Sequence, residues 1–280
     1  MAEVAGRGAG LGSGVTRLFS IGRWLYAAAA IASGVEQLVR LRFVRLVPGF
    51  PAWMPGPAIW AGLAGAFLVL AGAALLTDRW RGQGAVAAGA LLAWLFAGGF
   101  VPQIAGNPLT GYIWTNPCKT LALLSGTILL AAGPATGPGR AESGAVRWRL
   151  RTQPLAWIFP GVFLAVCGVQ HFFYADFVRT LVPAWIPPAP GFWTYFAGVA
   201  LIAGGVGLAL RRIRALAALL SGTMVLLWVL LLHIPRAVWM RSAFELDGVF
   251  EATAIGGVCW MLAAVAAPWP PLRPAGPGAA

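Results

Sequence analysis

The sequence predicts an all-α membrane protein, with eight transmembrane helices arranged as two four-helix bundles related by a pseudo-twofold axis. Three observations carry this expectation. Of 280 residues, 59% are hydrophobic and 10% charged, whereas soluble domains carry roughly 25% charged residues. The apolar runs approach the ~20 residues that cross a bilayer core, without the alternation of barrel strands. And a set of landmarks recurs along the chain at an offset of 132 to 134 residues.

Taken in order, residues 1–17 are rich in Gly and Ala and read as a flexible tail. Apolar segments follow at about 18–38, 58–77, 84–104 and 115–133, forming a first unit over 18–133. The Pro- and Gly-broken basic stretch 134–153 reads as a cytoplasmic linker. A second unit over 154–267 holds segments at about 154–174, 191–210, 214–234 and 248–267. The Pro-rich end, 268–280, cannot be helical. Segment one resembles a signal peptide, with Arg23, an apolar run and "AIASG". Its counterpart inside the chain favours a permanent helix instead.

The repeat is read from five landmarks. "GVEQLVRLRFVR" (34–45) lies on "GVQHFFYADFVR" (168–179), and "PAWMP" (51–55) on "PAWIP" (183–187). Trp60, Gly65 and Gly72 keep the spacing of Trp193, Gly198 and Gly205. "RWR" (79–81) lies on "RIR" (212–214), and "FVPQ" (100–103) on "HIPR" (233–236). An even number of helices per unit gives the copies the same orientation, as in parallel repeats. Small residues at four-residue spacing, Ala61 and Gly65 for example, suit close helix packing. Prolines 51, 55, 183 and 187 fix rigid connectors between the first and second helices of each unit, and Trp53 and Trp185 anchor them at headgroup depth.

The net charge of +12 does not point to nucleic acid. Nineteen of the twenty basic residues are Arg, and they gather at the ends of apolar runs. With the N-terminus inside, thirteen basic residues fall on the inner side and seven on the outer. Both termini are therefore expected in the cytoplasm of a bacterial inner membrane. Cys118, Cys167 and Cys259 form no CxxC pair and read as small buried hydrophobes.

Ionisable residues within apolar segments are functional candidates by default. Glu36, Lys119, His171, His233 and Glu251 all fall at the outer ends of their segments, joined there by Gln170, Asp176 and Asp247. Arg23 stands at an inner end, placed to snorkel. An outward pocket built on Glu36, Gln170, His171, Asp176, His233, Asp247 and Glu251 is one reading. Solvated helix ends are the other. The second unit carries the richer set, with both histidines, and a quinone headgroup is a ligand such residues can hydrogen-bond. Two histidines at similar depth also have the chemistry of b-type haem ligands, although plain hydrogen-bonding histidines account for them as well. No ligand spacing for a metal accompanies them.

Residues 168–222, with Gly168, His171, Phe172, Phe177, Pro183, Pro187, Gly198 and Gly205 in place, resemble the DoxX-like membrane family. The resemblance implies a four-helix unit with a Gly-x-x-His-Phe segment ending its first helix and a Pro-x-x-x-Pro loop. The first unit would be a degenerate copy without the His-Phe pair. It further implies a redox-associated role. Some members are named as subunits of a thiosulfate:quinone oxidoreductase and others are linked to thiol or oxidative-stress responses. The expected partners are the lipid bilayer and redox subunits.

Overall fold

The computed structural model describes residues 2–44, 55–132, 143–183 and 185–266, and it is helical throughout. The long helices are α1 (Ala2–Arg40), α2 (Pro57–Leu76), α3 (Arg81–Gly106), α4 (Thr115–Ala131), α5 (Ser143–Phe173), α6 (Pro190–Ala209), α7 (Arg214–Met240) and α8 (Ala243–Val265). A short helix, Ala175–Leu181, follows α5. Among the described residues, seven helices are long and apolar enough to cross a membrane. The 17-residue α4 is the exception. It is preceded by a single 3₁₀ turn, Gly111–Trp114, and most of its residues are buried inside the protein.

Two boundaries differ from the sequence expectation. Helix α1 takes in the stretch read as a flexible tail, and α5 begins inside the stretch read as a linker. In α5, Pro154 and Pro160 do not stop the helix. Pro160 has no N–H for the carbonyl four residues earlier. That carbonyl, on Ala156, accepts instead from the Ser125 hydroxyl of α4 at 2.7 Å. Neighbouring helices commonly satisfy backbone groups that proline frees within a membrane.

Prolines shape other elements as well. Helices α2 and α6 begin on Pro57 and Pro190, where the missing N–H has no intrahelical role. Gly56, with φ 67°, supplies the left-handed turn before Pro57. Both α3 and α7 loosen into a π turn just ahead of a proline, over Leu95–Phe100 before Pro102 and over Val229–His233 before Pro235. These two turns fall at positions that the sequence repeat pairs. So do two loop contacts: Trp60 Nε1 donates to the Pro55 carbonyl at 3.2 Å, and Trp193 Nε1 to the Pro187 carbonyl at 2.8 Å. Trp185 is exposed, while Pro51 and Trp53 lie outside the described residues.

The packing interleaves the two sets of four helices. Helices α1, α2 and α3 follow one another, as do α5, α6 and α7, but the fourth helix of each set leans on the other set. Helix α4 packs on α3 and α5; helix α8 packs on α7 and α1; and α4 and α8 meet in the middle. Glycines make the crossings close. A Cβ on Gly22 would stand 2.5 Å from the Gly257 carbonyl of α8, and one on Gly257 equally close to the Gly22 carbonyl. Gly34 and Gly65 meet the same way between α1 and α2, as do Gly168 and Gly198 between α5 and α6. With lipid as apolar as leucine, such close backbone approach is what drives helix pairing.

At the α2–α3 end, Arg23 has specific partners. It is 9% exposed and caps α2, donating from Nε to the Leu75 carbonyl at 2.6 Å and from Nη1 to Asp78 Oδ1 at 2.6 Å. That hydrogen bond holds the Asp78 carboxyl below the usual carboxylate range.

Candidate functional site

The ring formed by α1, α2, α3 and α8 does not close over its interior. It surrounds a cavity of about 630 Å³, with Leu123 of α4 at its wall. The lining runs along α2 from Trp60 to Leu75, about 22 Å at 1.5 Å per residue. Apart from one end, the walls are apolar, built from residues such as Phe67, Leu68, Leu91 and Phe250. Trp60, Leu63 and Trp94 line the cavity and are also 42%, 57% and 69% exposed. The cavity therefore opens sideways between α2 and α3, on the face that apolar side chains cover.

Polar residues gather at one end. Gln37, Asp247 and Glu251 line the cavity, and Glu36 lies behind Gln37; all four are buried. Leu41, with φ 50°, turns the chain out of α1 so that residues 42–44 fold back over this end. Arg42 Nη2 donates to Glu36 Oε1 at 2.8 Å and stands 3.7 Å from Asp247 Oδ2, tying α1 to α8. Arg40 Nε is a second partner of Glu36 Oε1 at 3.2 Å. The Val44 amide donates to Gln37 Oε1 at 3.2 Å. Deeper in, Lys119 Nζ of α4 donates to Glu251 Oε2 of α8 at 2.5 Å, with Asn116 Oδ1 at 3.5 Å as its second acceptor. Lys119 and Glu251 are 132 residues apart, so they occupy equivalent positions of the sequence repeat.

At this end, the buried polar atoms without a hydrogen-bond partner among the described residues include Glu36 Oε2, Gln37 Nε2 and Glu251 Oε1. An unpaired buried polar atom costs about 1–3 kcal/mol. The two on the lining residues offer a donor and an acceptor to whatever fills the cavity.

Three of the sequence candidates, Glu36, Asp247 and Glu251, thus come together. The other four do not line this cavity. Gln170 holds the start of α4 to α5, accepting from Thr115 Oγ1 at 2.9 Å and donating to the Gly111 carbonyl at 2.9 Å. His171 Nδ1 donates to the Cys167 carbonyl at 2.7 Å, and its ring stacks on Trp228 with centroids 6.3 Å apart. Asp176 is almost fully exposed and pairs with Arg179 at 3.1 Å. His233 ends the π turn of α7, where it lies against Gly248 of α8. The site therefore draws its walls from the first unit and its carboxylates from the last helix of the second.

The sequence groups Gln37 and Lys119 with the polar residues at the outer helix ends, but neither they nor Arg42 are among the pocket candidates. One signal was present: Lys119 and Glu251 are opposite charges at matched positions of a repeat. The cysteines are free, with Cys118 and Cys259 buried and Cys167 half-buried.

A family model described as a domain of unknown function (DUF8561) matches residues 161–244. This stretch runs from within α5 through α7 and includes the residues on which the DoxX-like resemblance rests. No curated protein and no solved structure matches the chain.

Proposed function

We propose that the protein binds a hydrophobic molecule with a polar head, seated in the α1–α2–α3–α8 cavity with its head toward Gln37 and Glu251. One observation carries this reading: a long apolar slot, open sideways, ends at two buried polar atoms without partners among the described residues. Ligand cavities are mainly apolar with a few placed polar groups. At roughly 30 Å³ per non-hydrogen atom, the share of a water molecule in the liquid, the cavity takes about twenty such atoms. The rest of a longer chain would extend through the α2–α3 opening into lipid.

A quinone-type head is the ligand that best fits a redox-associated accessory subunit of DoxX-like kind, since Gln37 Nε2 can donate to its oxygen. In this reading the protein serves partner redox subunits and is not an autonomous enzyme. A carrier of lipids or small solutes is the second reading. The apolar slot favours it as much, but the placed polar end favours recognition of a head. Mass analysis of organic extracts of the purified protein tests the proposal, with a discrete hydrophobic compound expected near one per chain. Ala64→Phe, which fills the cavity from α2, is expected to lower its yield at least fivefold without loss of folded protein. Equal yields from both proteins would sink the assignment to this cavity.

The same proposal takes the eight long helices as eight crossings, α4 completed by its preceding turn. It takes them as two pseudo-twofold units that exchange their fourth helices, in a bacterial inner membrane with both termini inside. The matched π turns, the matched Trp–Pro contacts and the corresponding crossings of α1 with α8 and of α5 with α4 support the exchange. The arginine distribution supports the orientation. A single cysteine at Ala145, with the three native cysteines removed, is expected to react with an impermeant maleimide only in inverted vesicles. Reaction in intact cells would reverse the orientation.

A further inference from the structure

Resting on the proposal that the cavity holds a hydrophobic molecule, we infer that its polar end selects an uncharged, hydroxyl-bearing head over an anionic or cationic one. The chemistry of the end wall decides this. Among the described residues the formal charges there balance: Glu36, Asp247 and Glu251 stand against Arg40, Arg42 and Lys119, each acid within 4 Å of at least one base. A charged head would leave water, arrive in an apolar slot and find no spare counter-charge, and such a charge is heavily penalised.

An anion meets a further obstacle. The charged residues on the lining itself are the carboxylates Asp247 and Glu251, while Arg42 and Lys119 stand behind them. A cation is disfavoured by Gln37, which is 1% exposed and directs an amide donor at the site with its oxygen already engaged by the Val44 amide. Among the described residues, the open groups on the lining include one donor, Gln37 Nε2, and one acceptor, Glu251 Oε1. A head that only accepts, such as an oxidised quinone, satisfies the first and leaves Glu251 Oε1 bare. A hydroxylated head satisfies both, with an oxygen accepting from Gln37 and an O–H donating to Glu251. A site built to hydrogen-bond a hydroxyl rejects analogues that lack it, because its buried groups are then left unpaired.

The experiment uses full-length protein in nanodiscs. Binding is measured by competition against one fluorescent alkyl probe, for four ligands: dodecanol, dodecanoate, dodecyltrimethylammonium and decylubiquinol, the last also in its oxidised form. The two hydroxyl-bearing ligands are expected to bind at least tenfold more tightly than the two ions. Decylubiquinol should also exceed decylubiquinone about tenfold. Gln37→Met is expected to remove about tenfold of the dodecanol affinity and to narrow the alcohol–acid gap. An ion binding as tightly as the alcohol, or quinone as tightly as quinol, overturns the inference while leaving the cavity proposal standing. Failure of all ligands to compete overturns both. The wild-type series decides the matter even if Gln37→Met does not fold.

Discussion

Replacing Lys119 by alanine is expected to destabilise the protein by about 3–5 kcal/mol, the range seen when one member of a buried ion pair is removed. Lys119 and Glu251 are 7% and 9% exposed, at the meeting of α4 and α8. Once the ammonium is gone, Glu251 loses its Lys119 partner, and its carboxylate is left buried with Oε1 already unpartnered among the described residues. The destabilisation comes from the stranded carboxylate more than from the lost attraction. The double variant Lys119→Met with Glu251→Leu is therefore expected to be within about 1–2 kcal/mol of the parent, or more stable, since well-packed apolar replacements of buried pairs are often neutral or better. Unfolding of the parent and the two variants under one set of conditions gives the test. A double variant as unstable as Lys119→Ala, or more so, would show that the stranded carboxylate is not the cause.

The second large effect is expected at the α1–α8 crossing. Leucine at Gly22 or at Gly257 would put a branched side chain where even a Cβ would stand 2.5 Å from the opposite backbone carbonyl. Backbone on both sides cannot yield as a flexible side chain can. The helices must separate, and about 3 kcal/mol or more is expected to be lost, the upper part of the range for overpacked sites. Either substitution alone should be as damaging as both, because one separation relieves both clashes. Gly82→Ala is the control. A Cβ there meets nothing within 4 Å, so the helix is expected to gain up to about 1 kcal/mol. Thermal unfolding that ranks Gly22→Leu with Gly82→Ala would contradict the close crossing.

The helices were legible in the sequence because each is a run of apolar residues bounded by proline, glycine or arginine. Pro57 and Pro190 start their helices where the pattern implied. What the pattern could not convey is which helix leans on which. Gly22, Ser125, Ala156 and Gly257 look alike as small residues in apolar runs, yet they join α1 to α8 and α4 to α5, and not helices within one unit. The candidate site shows the same limit. Glu36, Asp247 and Glu251 stood out as ionisable groups in apolar surroundings. The histidines stood out equally, but the hydrogen bond of His171 to Cys167 and its stacking on Trp228 use the ring locally. Gln37 was obscured by being neutral, since its importance lies in an amide left without a partner, which only packing reveals.

Pairing α1 with α8 also sets a schedule for biogenesis. Gly257 leaves the ribosome 235 positions after Gly22. At roughly 5–20 residues per second, the first helix waits on the order of ten to fifty seconds for its mate. Until then Gly22 has no α8 backbone against it, and Gln37 lacks Asp247 and Glu251 across the cavity. The cavity is therefore walled on the α8 side only after α1, α2 and α3 have all been made.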